Sequence, residues 1–422
     1  MRYQKPKGTQ DFIPGVVEKW QYVEKKARDW CHRFNYKEIR TPIFEQTELF
    51  IRSVGETTDV VEKEMYTFKD KGDRNMALRP EGTAGVVRAY IENKLYGEPD
   101  LQKLYYIGPK FRYEQPQSGR FRQFHQFGVE VFGSIDPAID AEVISLGYSF
   151  FKDLGLQGVK VELNSIGNQQ SRANYREKLQ EFLTPVKEQL CNDCQSRFDR
   201  NPLRILDCKK DQQYFGGAPS ILDSLDEESM IHFEKVQKYL TEMDVKFEIN
   251  PRMVRGLDYY TDTVFEYKAK GIGAIDTIAA GGRYNGLVEQ IGGQDQPGVG
   301  FGIGLERVLL ILDHQNVQIP EENLLDVYLV GLGDQAEEKC VKVLYELRQA
   351  GIRAEKDYLG KKMKAQLKSA DRQKVKYAAI LGDEELERGE IVLKTLESRE
   401  QKTIVLEKFV EEMIKITKGG NM

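Results

Sequence analysis

The chain has 422 residues, enough for about three structural units at roughly 150 residues apiece, which excludes a lone small domain. Hydrophobic residues make up 40% of it, and the 37 glycines bring the apolar share to about 49%, an ordinary globular value that excludes wholesale disorder. With 62 basic against 67 acidic residues the net charge is −5, so a histone-like polycation is excluded and any nucleic-acid contact has to use a local patch.

Residues 16 to 34 place Trp20, Val23, Ala27, Trp30, Cys31 and Phe34 at helical spacing, opposite Glu18, Lys19, Lys25, Lys26 and Arg28, which predicts an amphipathic surface helix. Residues 36 to 45 read as an extended segment. Pro42 cannot donate to a central ladder, so the segment belongs at a sheet edge or an interface. A second helix is predicted over 83 to 95, with Thr83 as its cap. Residues 104 to 113 and 121 to 132 read as two strands joined by a polar loop with Pro116, Ser118 and Gly119, a hairpin signal.

From about 168 to 245 the chain is rich in Gln, Glu, Asp and Lys, helical in pattern, and predicted to be an inserted subdomain. Strands and Gly-rich turns resume over 254 to 304 and end in an apolar helix over 305 to 312. Pro320 to Asn323 read as a linker. Beyond it, apolar runs at 327–330, 378–381 and 391–393 alternate with helical patterns at 335–349 and 361–374, which predicts a small α/β domain at 324–422. The amino end lacks the apolar stretch of a secretory signal, and no apolar run approaches the roughly 18 residues of a membrane span. Five cysteines, an odd number, argue against a disulfide scaffold. The expectation is a soluble cytoplasmic protein with no membrane partner.

Alternate residues of a strand share a face. Tyr105, Ile107, Pro109, Phe111 and Tyr113 are on one side of the first hairpin strand, with Tyr106, Gly108, Lys110, Arg112 and then Glu114 on the other. The return strand divides into His125, Phe127, Val129 and Val131 against Gln126, Gly128 and Glu130. A half-solvated hairpin would look like this. So would a platform presenting Arg112, Gln126 and Glu130 to a small polar ligand, with His125 packed in the core.

The same parity is sharper in Gly298-Val299-Gly300-Phe301-Gly302-Ile303-Gly304-Leu305, where four glycines share one face. Glycine weakens a strand and is found where a ligand or another backbone approaches closely. A bare strip of this kind would let a flat ring lie on the sheet, and Arg307 follows in the first helical turn, where a polyphosphate tail could extend. The segment is neither a dinucleotide fingerprint nor a Walker loop.

Two further groups stand out. Cys191-x2-Cys194 with Cys208 suggests zinc, but no paired fourth ligand is obvious and His232 is distant, so packed, reduced thiols are expected. The predicted helix over 361–376 places Lys361, Lys364, Lys368 and Arg372 on one face, opposite Met363, Leu367 and Ala370. Such a face is usually a solvated surface, and in this domain it is the candidate for phosphate contact.

Three of these segments resemble the signature segments of class II aminoacyl-tRNA synthetases: the strand around Pro42, the Phe111-Arg112-Tyr113-Glu114 hairpin and the Gly298 to Arg307 run. Arg79-Pro80-Glu81-Gly82-Thr83, Arg122-Gln123-Phe124-His125-Gln126, Arg255-Gly256-Leu257-Asp258-Tyr259-Tyr260 and Gly281-Gly282-Arg283-Tyr284 together resemble the histidyl-tRNA synthetases, from Lys7-Gly8-Thr9-Gln10-Asp11 onward. That resemblance implies an α+β catalytic domain at 1–323 with a mixed, mainly antiparallel sheet flanked by helices, a helical insertion, and a carboxyl-terminal α/β anticodon-binding domain. It also implies a homodimer that ligates L-histidine to tRNA(His) through a histidyl adenylate; the phosphorus displacement calls for Mg2+ with ATP, and the reading of the cysteines leaves no tightly bound metal held by the protein.

Roles follow from the same resemblance. Glu81, Gly82, Thr83, Arg112, Gln126, Glu130, Arg255, Tyr259 and Tyr260 would form the histidine site, with Glu81, Thr83 and Gln126 on the ammonium and Glu130 and Tyr260 on the imidazole. Arg112 would contact the carboxylate and the α-phosphate, Arg255 the opposite side of that phosphate, and Arg307 the γ-phosphate. Glu114, Arg120, Gly302 and Gly304 would complete the ATP site. Gln117 and the basic helix would meet tRNA, although Gln115 departs from the arginine found in many members. Two readings compete: a noncatalytic relative that regulates ATP phosphoribosyltransferase, and a synthetase for another amino acid. The carboxyl-terminal domain and the three retained arginines weigh against the first, and Tyr259-Tyr260 against the second.

Overall fold

The computed structural model describes residues 3–55, 58–269, 277–320 and 325–418. The chain divides into two units, Met1–Ile319 and Pro320–Met422. From residue 321 onward the expected linker lies outside the described residues.

The first unit is built on a sheet that has eight strands among the described residues. In chain order its strands, with those of a small side sheet, are β1 Lys37–Glu38, β2 Phe44–Gln46, β3 Thr67–Lys69, β4 Asn75–Leu78, β5 Gln102–Phe111, β6 Gln123–Phe132, β7 Lys160–Ser165, β8 Phe247–Ile249, β9 Thr261–Lys268, β10 Thr277–Arg283 and β11 Gly298–Gly304. The large sheet runs β1-β5-β6-β11-β10-β9-β7-β8, antiparallel through its middle and parallel at both edges. The short strand β1, just ahead of Pro42, takes one edge. The strands β2, β4 and β3 form the side sheet.

The helix Val17–Arg33 buries Trp20, Val23, Ala27 and Cys31, the stripe its spacing predicts, in the main core on one face of the large sheet. The helix Pro137–Asp153 joins it there. Proline sits at its first position, and Asp136 accepts a hydrogen bond from the Ala138 amide at 2.9 Å. Arg283 at the end of β10 pairs with Asp140 of that helix, both fully buried, and donates to the Ser134 carbonyl at 2.7 Å, so this arginine locks sheet to helix. The helix Glu227–Glu242, within the segment expected to be an insert, also packs in the main core through Phe233, Val236 and Leu240 and leads to β8 beside β7. The helices Gln169–Leu183 and Asn192–Arg200 and the turns after them instead pack on the opposite side, against Met253, Tyr259 and Tyr260.

The second unit has a five-stranded sheet among its described residues, made of β12 Val327–Leu332, β13 Ala354–Lys356, β14 Tyr377–Gly382, β15 Glu390–Thr395 and β16 Gln401–Val405. Its order is β13-β12-β14-β15-β16, with the first three strands parallel. The helices Asp334–Gln349 and Phe409–Lys418 bury Cys340, Val343, Leu347 and Met413 against one face. No helix among the described residues is long and apolar enough to cross a membrane.

Candidate active site

Strand register carries the parity of the sequence across the sheet. Tyr106 faces Gly128, Gly128 faces Gly302, Gly302 faces Ala280 and Ala280 faces Glu266, one row across five strands. The neighbouring row sets Glu130 beside Gly300 and Gly282, and the row on the other side sets Gln126 beside Gly304. These rows floor a cavity of about 390 Å3.

One end of the cavity is built on carboxylates. Glu130 is buried and accepts hydrogen bonds from the hydroxyls of Tyr284 at 2.5 Å, Thr83 at 2.7 Å and Tyr106 at 3.3 Å. Burial still outweighs these donors and pushes its carboxyl up to about 8. Glu81, also buried, accepts from the amides of Thr83 at 2.6 Å and Ala84 at 2.9 Å, closing the amino end of the helix Thr83–Glu92. Thr83 is therefore not the cap. It is the first helical residue, and its hydroxyl is turned into the site, where it also accepts from Tyr259 at 3.4 Å. Lys110 is buried near Glu81 and Glu130, with its ammonium 4.5 Å from the centre of the Tyr106 ring. Burial and Arg79 push it down to about 7 against the pull of the two carboxylates.

The other end is built on arginines. Arg112, beyond the last paired residues of the hairpin, donates to the Pro80 carbonyl at 2.9 Å. Arg120 pairs with Glu114 at 3.3 Å. Arg307, in the first turn of the helix Leu305–His314, donates to the carbonyls of Thr277 at 2.8 Å and Gly119 at 3.4 Å, and burial lowers its pKa. Between the two ends, at the level of Gly302, Arg255 pairs with Glu266, and its guanidinium lies 5.9 Å from the centre of the Tyr260 ring. Glu266 is half-buried, and desolvation raises its pKa, but Arg255 and Lys268 hold it below the usual carboxylate range.

The four glycines of β11 do not form one bare strip. A Cβ at Gly298 would meet the Tyr284 ring at 2.2 Å, and one at Gly300 would meet Glu130 Oε2 at 2.2 Å, so these two make room for the protein's own side chains. At Gly302 the nearest atom is Gln126 Nε2 at 3.5 Å, and at Gly304 nothing lies within 4 Å. The open strip is therefore its second half.

The structure thus brings Glu81, Gly82, Thr83, Arg112, Glu114, Arg120, Gln126, Glu130, Arg255, Tyr259, Tyr260, Gly302, Gly304 and Arg307 around one cavity. Gln117 does not line it and is exposed in the loop between β5 and β6. His125 is not a lining residue either. Its ring packs on Phe12 and Trp20, with Nδ1 3.1 Å from Glu306. Sequence reasoning alone does not find Tyr106, Tyr284 and Glu266. Tyr106 has a signal in its parity with Lys110 and Arg112, since its ring fits only because Gly82 and Gly128 flank it, each with a built Cβ under 2.5 Å from the phenol.

Residues 8–308 match the family model described as histidyl-tRNA synthetase, and residues 326–416 match that of an anticodon binding domain. The chain belongs to the histidyl-tRNA synthetase family. A histidine--tRNA ligase of Bacillus cytotoxicus is 56% identical over 97% of this chain and 98% of its own length, and one of Geobacillus thermodenitrificans is 54% identical over 99% of each. The crystal structure of apo S. aureus histidyl-tRNA synthetase is 44% identical, covers 98% of this chain and all of its own, and superposes with a TM-score of 0.86. A Bacillus halodurans structure titled as an ATP phosphoribosyltransferase regulatory subunit/histidyl-tRNA synthetase covers 87% of this chain and 97% of its own at TM-score 0.63. At 20% identity it shows a shared fold alone.

In the synthetase's second unit the basic helix spans Met363–Arg372 and buries Gln366, Ser369 and Ala370. Met363 is exposed rather than opposite the basic face, because the helix is rolled so that Gln366 donates to the Gly331 carbonyl at 3.0 Å. Lys361 precedes the helix, is half-buried, and is held 3.4 Å from Asp357. Lys364, Lys368 and Arg372 are exposed.

Proposed function

We propose that the carboxylate end of the cavity seats L-histidine, the arginine end seats the polyphosphate of ATP, and Arg112 and Arg255 hold the point where the two react. The chain is an enzyme that ligates histidine to tRNA(His). In the first step a carboxylate oxygen of histidine bonds to the α-phosphorus of ATP, and the bond to the bridging oxygen breaks, releasing pyrophosphate. In the second, a ribose hydroxyl at the tRNA terminus attacks the mixed anhydride, expels AMP and loses its proton. The attacking carboxylate is already an anion, so the first step needs no general base. Positioning and charge stabilisation carry it.

The observation that carries this reading is the order of charge along the cavity floor: Glu130 beside Gly300, Arg255 level with Gly302, and Arg307 just beyond Gly304. The Glu130 and Gln126 rows are four residues apart along the strand, about 13 Å at the usual rise. That length suits an amino acid followed by a phosphate. Glu81 and Thr83 face the ammonium, Glu130 and Tyr260 bracket the imidazole, and Gly302 and Gly304 leave room for a flat base. Glu114 and Glu266 are oxygen ligands of the kind Mg2+ takes with nucleotide phosphates, and they would hold it there to neutralise charge. Gln117 and the exposed Lys364, Lys368 and Arg372 face tRNA, with Lys361 anchoring the start of their helix.

Phe44 and Phe68 are 54 and 43% exposed on the side sheet with their ring centres 6.4 Å apart, an apolar patch that supports a homodimer, and five cysteines without a disulfide suit the reducing cytoplasm. The test is ATP–pyrophosphate exchange with each of the twenty amino acids, followed by charging of tRNA. Exchange with histidine alone is expected. Exchange with another amino acid, or none at all, overturns the reading.

A further inference from the structure

The segment after β7 holds four side chains that the ligation chemistry does not use. Cys191 is the N-cap of the helix Asn192–Arg200, and Cys194 lies in its first turn. Cys208 ends the short turn Pro202–Asp207, and Asp211 follows three residues later. Three thiol sulfurs and one carboxylate oxygen from these residues all lie within 4.8 Å of one another. We propose that Cys191, Cys194, Cys208 and Asp211 bind one Zn2+ in a closed, tetrahedral structural site.

The geometry has the dimensions of such a site. Two sulfurs held about 2.3 Å from one tetrahedral zinc stand about 3.8 Å apart, and Cys191 Sγ is 3.7 Å from Cys208 Sγ. A disulfide would bring them to about 2.0 Å. The pairing is Cys-x2-Cys with Cys-x2-Asp, so the second pair supplies the fourth ligand that a search for cysteine and histidine alone overlooks. Three thiolates exclude Mg2+ and Ca2+, which take oxygen ligands, and favour zinc. Both members of the first pair stand at the amino end of one helix, which brings their sulfurs together. The carboxylate is oriented from behind, because the Cys191 amide donates to its two oxygens at 3.2 and 3.1 Å. Cys194 and Asp211 are buried, and all four positions are filled by protein, which is the signature of a structural rather than a catalytic zinc.

The ion would brace the catalytic loop from below. Between the two ligand pairs run Arg197, Asn201 and Arg204. Arg204 donates to the Gly256 carbonyl at 2.9 Å, Asn201 to Asp258 at 2.9 Å and Arg197 to Asp59 at 3.1 Å. A knot tying Cys191 and Cys194 to Cys208 and Asp211 therefore fixes the stretch that holds Gly256 and Asp258, the neighbours of Arg255 and Tyr259.

The experiment is elemental analysis of the full-length protein purified without chelator, then titration of the metal-stripped protein with Zn2+ against a chromophoric chelator and with Co2+ followed by absorption. One zinc per chain is expected, bound at nanomolar or tighter as for structural sites, together with a thiolate-to-cobalt charge-transfer band and the d–d bands of tetrahedral cobalt. Asp211→Asn preserves volume and should weaken zinc at least ~10-fold, and Cys194→Ser should remove the charge-transfer intensity of one ligand. Should Cys194→Ser not fold, the parent cobalt spectrum and Asp211→Asn decide. Sub-stoichiometric zinc combined with affinity weaker than about micromolar, an octahedral cobalt spectrum without a thiolate band, or a Cys191–Cys208 disulfide in the native protein would each overturn the proposal.

Discussion

Replacing Gly300 by alanine should damage the histidine end of the cavity, whereas the same change at Gly302, two residues along the strand, should damage the nucleotide end. A Cβ at 300 would stand 2.2 Å from both Glu130 Oε2 and the Val129 carbonyl, while at 302 the first contact is an ordinary 3.5 Å. To reach normal contact, the atoms around residue 300 must separate by more than ~1 Å. The Val129 carbonyl belongs to a strand paired on both sides by β5 and β11, so relieving that contact shifts the backbone of residue 300 itself, while the contact with Glu130 displaces the Glu130 side chain. Moving it breaks its bonds from Tyr284 and Thr83. A hydrogen bond to a charged group is worth about 1.5–3 kcal/mol net, so the loss of one corresponds to about 10- to 100-fold in histidine affinity. The assay is ATP–pyrophosphate exchange with histidine varied at saturating ATP and then the reverse, with circular dichroism as the folding control. Gly300→Ala should raise the histidine KM by that factor with little change for ATP, and Gly302→Ala should do the opposite. A parent-like histidine KM in folded Gly300→Ala, or equal losses for both substrates in both variants, would refute the argument.

Three further outcomes are expected. Glu130→Gln should weaken histidine far more than ATP and should also change how stability depends on pH. The folded protein binds the Glu130 proton more tightly than the unfolded chain does, so that contribution is full below about 4.5 and is lost as the pH rises toward about 8. Lys110, pushed down to about 7, acts with the opposite sign and only above that pH. Urea midpoints between about pH 5 and 7 should therefore fall more for the parent than for Glu130→Gln, and parallel curves would exclude the shift. Arg255→Ala should lose at least ~100-fold in turnover, as for one oxyanion donor; near-normal pyrophosphate exchange would rule out its role. Reversing Lys364 and Lys368 to glutamate should raise the tRNA KM, flatten its salt dependence by about 0.7 per lost phosphate contact, and leave pyrophosphate exchange unchanged. An unaltered salt slope would remove that face from the tRNA interface.

The parts of the site that are legible in the sequence are those governed by a local period. The alternation in 105–113, 125–131 and 298–305 survives folding because antiparallel pairing keeps side chains of matching parity on one face, and so the period alone groups Arg112, Gln126, Glu130, Gly302 and Gly304. What escapes it depends on which elements become neighbours. Glu266 matters because β9 lies two strands from β11, where it holds Arg255, and nothing near residue 266 announces this. Thr83 reads as a cap, and only the approach of Glu130 and Glu81 to the same turn shows that its amide and its hydroxyl serve different carboxylates. Gly298 and Gly300 do mark space, but the tenants are Tyr284 and Glu130 rather than a ligand. Asp211, three positions after Cys208, carries a plainer signal in the sequence than Glu266 or Tyr284 does.

The crowding at Gly300 has a consequence for selectivity. Glu130 is buried among three phenol or threonine hydroxyls that are drawn to it, yet its carboxyl is still pushed up to about 8, because hydroxyl donors do not replace the solvation lost on burial. A substrate that brings an ammonium near Glu81 and an imidazole N–H to Glu130 supplies the missing stabilisation and draws the proton off. A side chain of similar size without a donor leaves the carboxyl protonated or the anion uncompensated, and either state opposes binding. With histidine seated as proposed, discrimination would reside in the cost of burying Glu130 as much as in any contact to the substrate, and Gly300, by allowing that burial, would contribute to specificity although it offers the substrate no side chain.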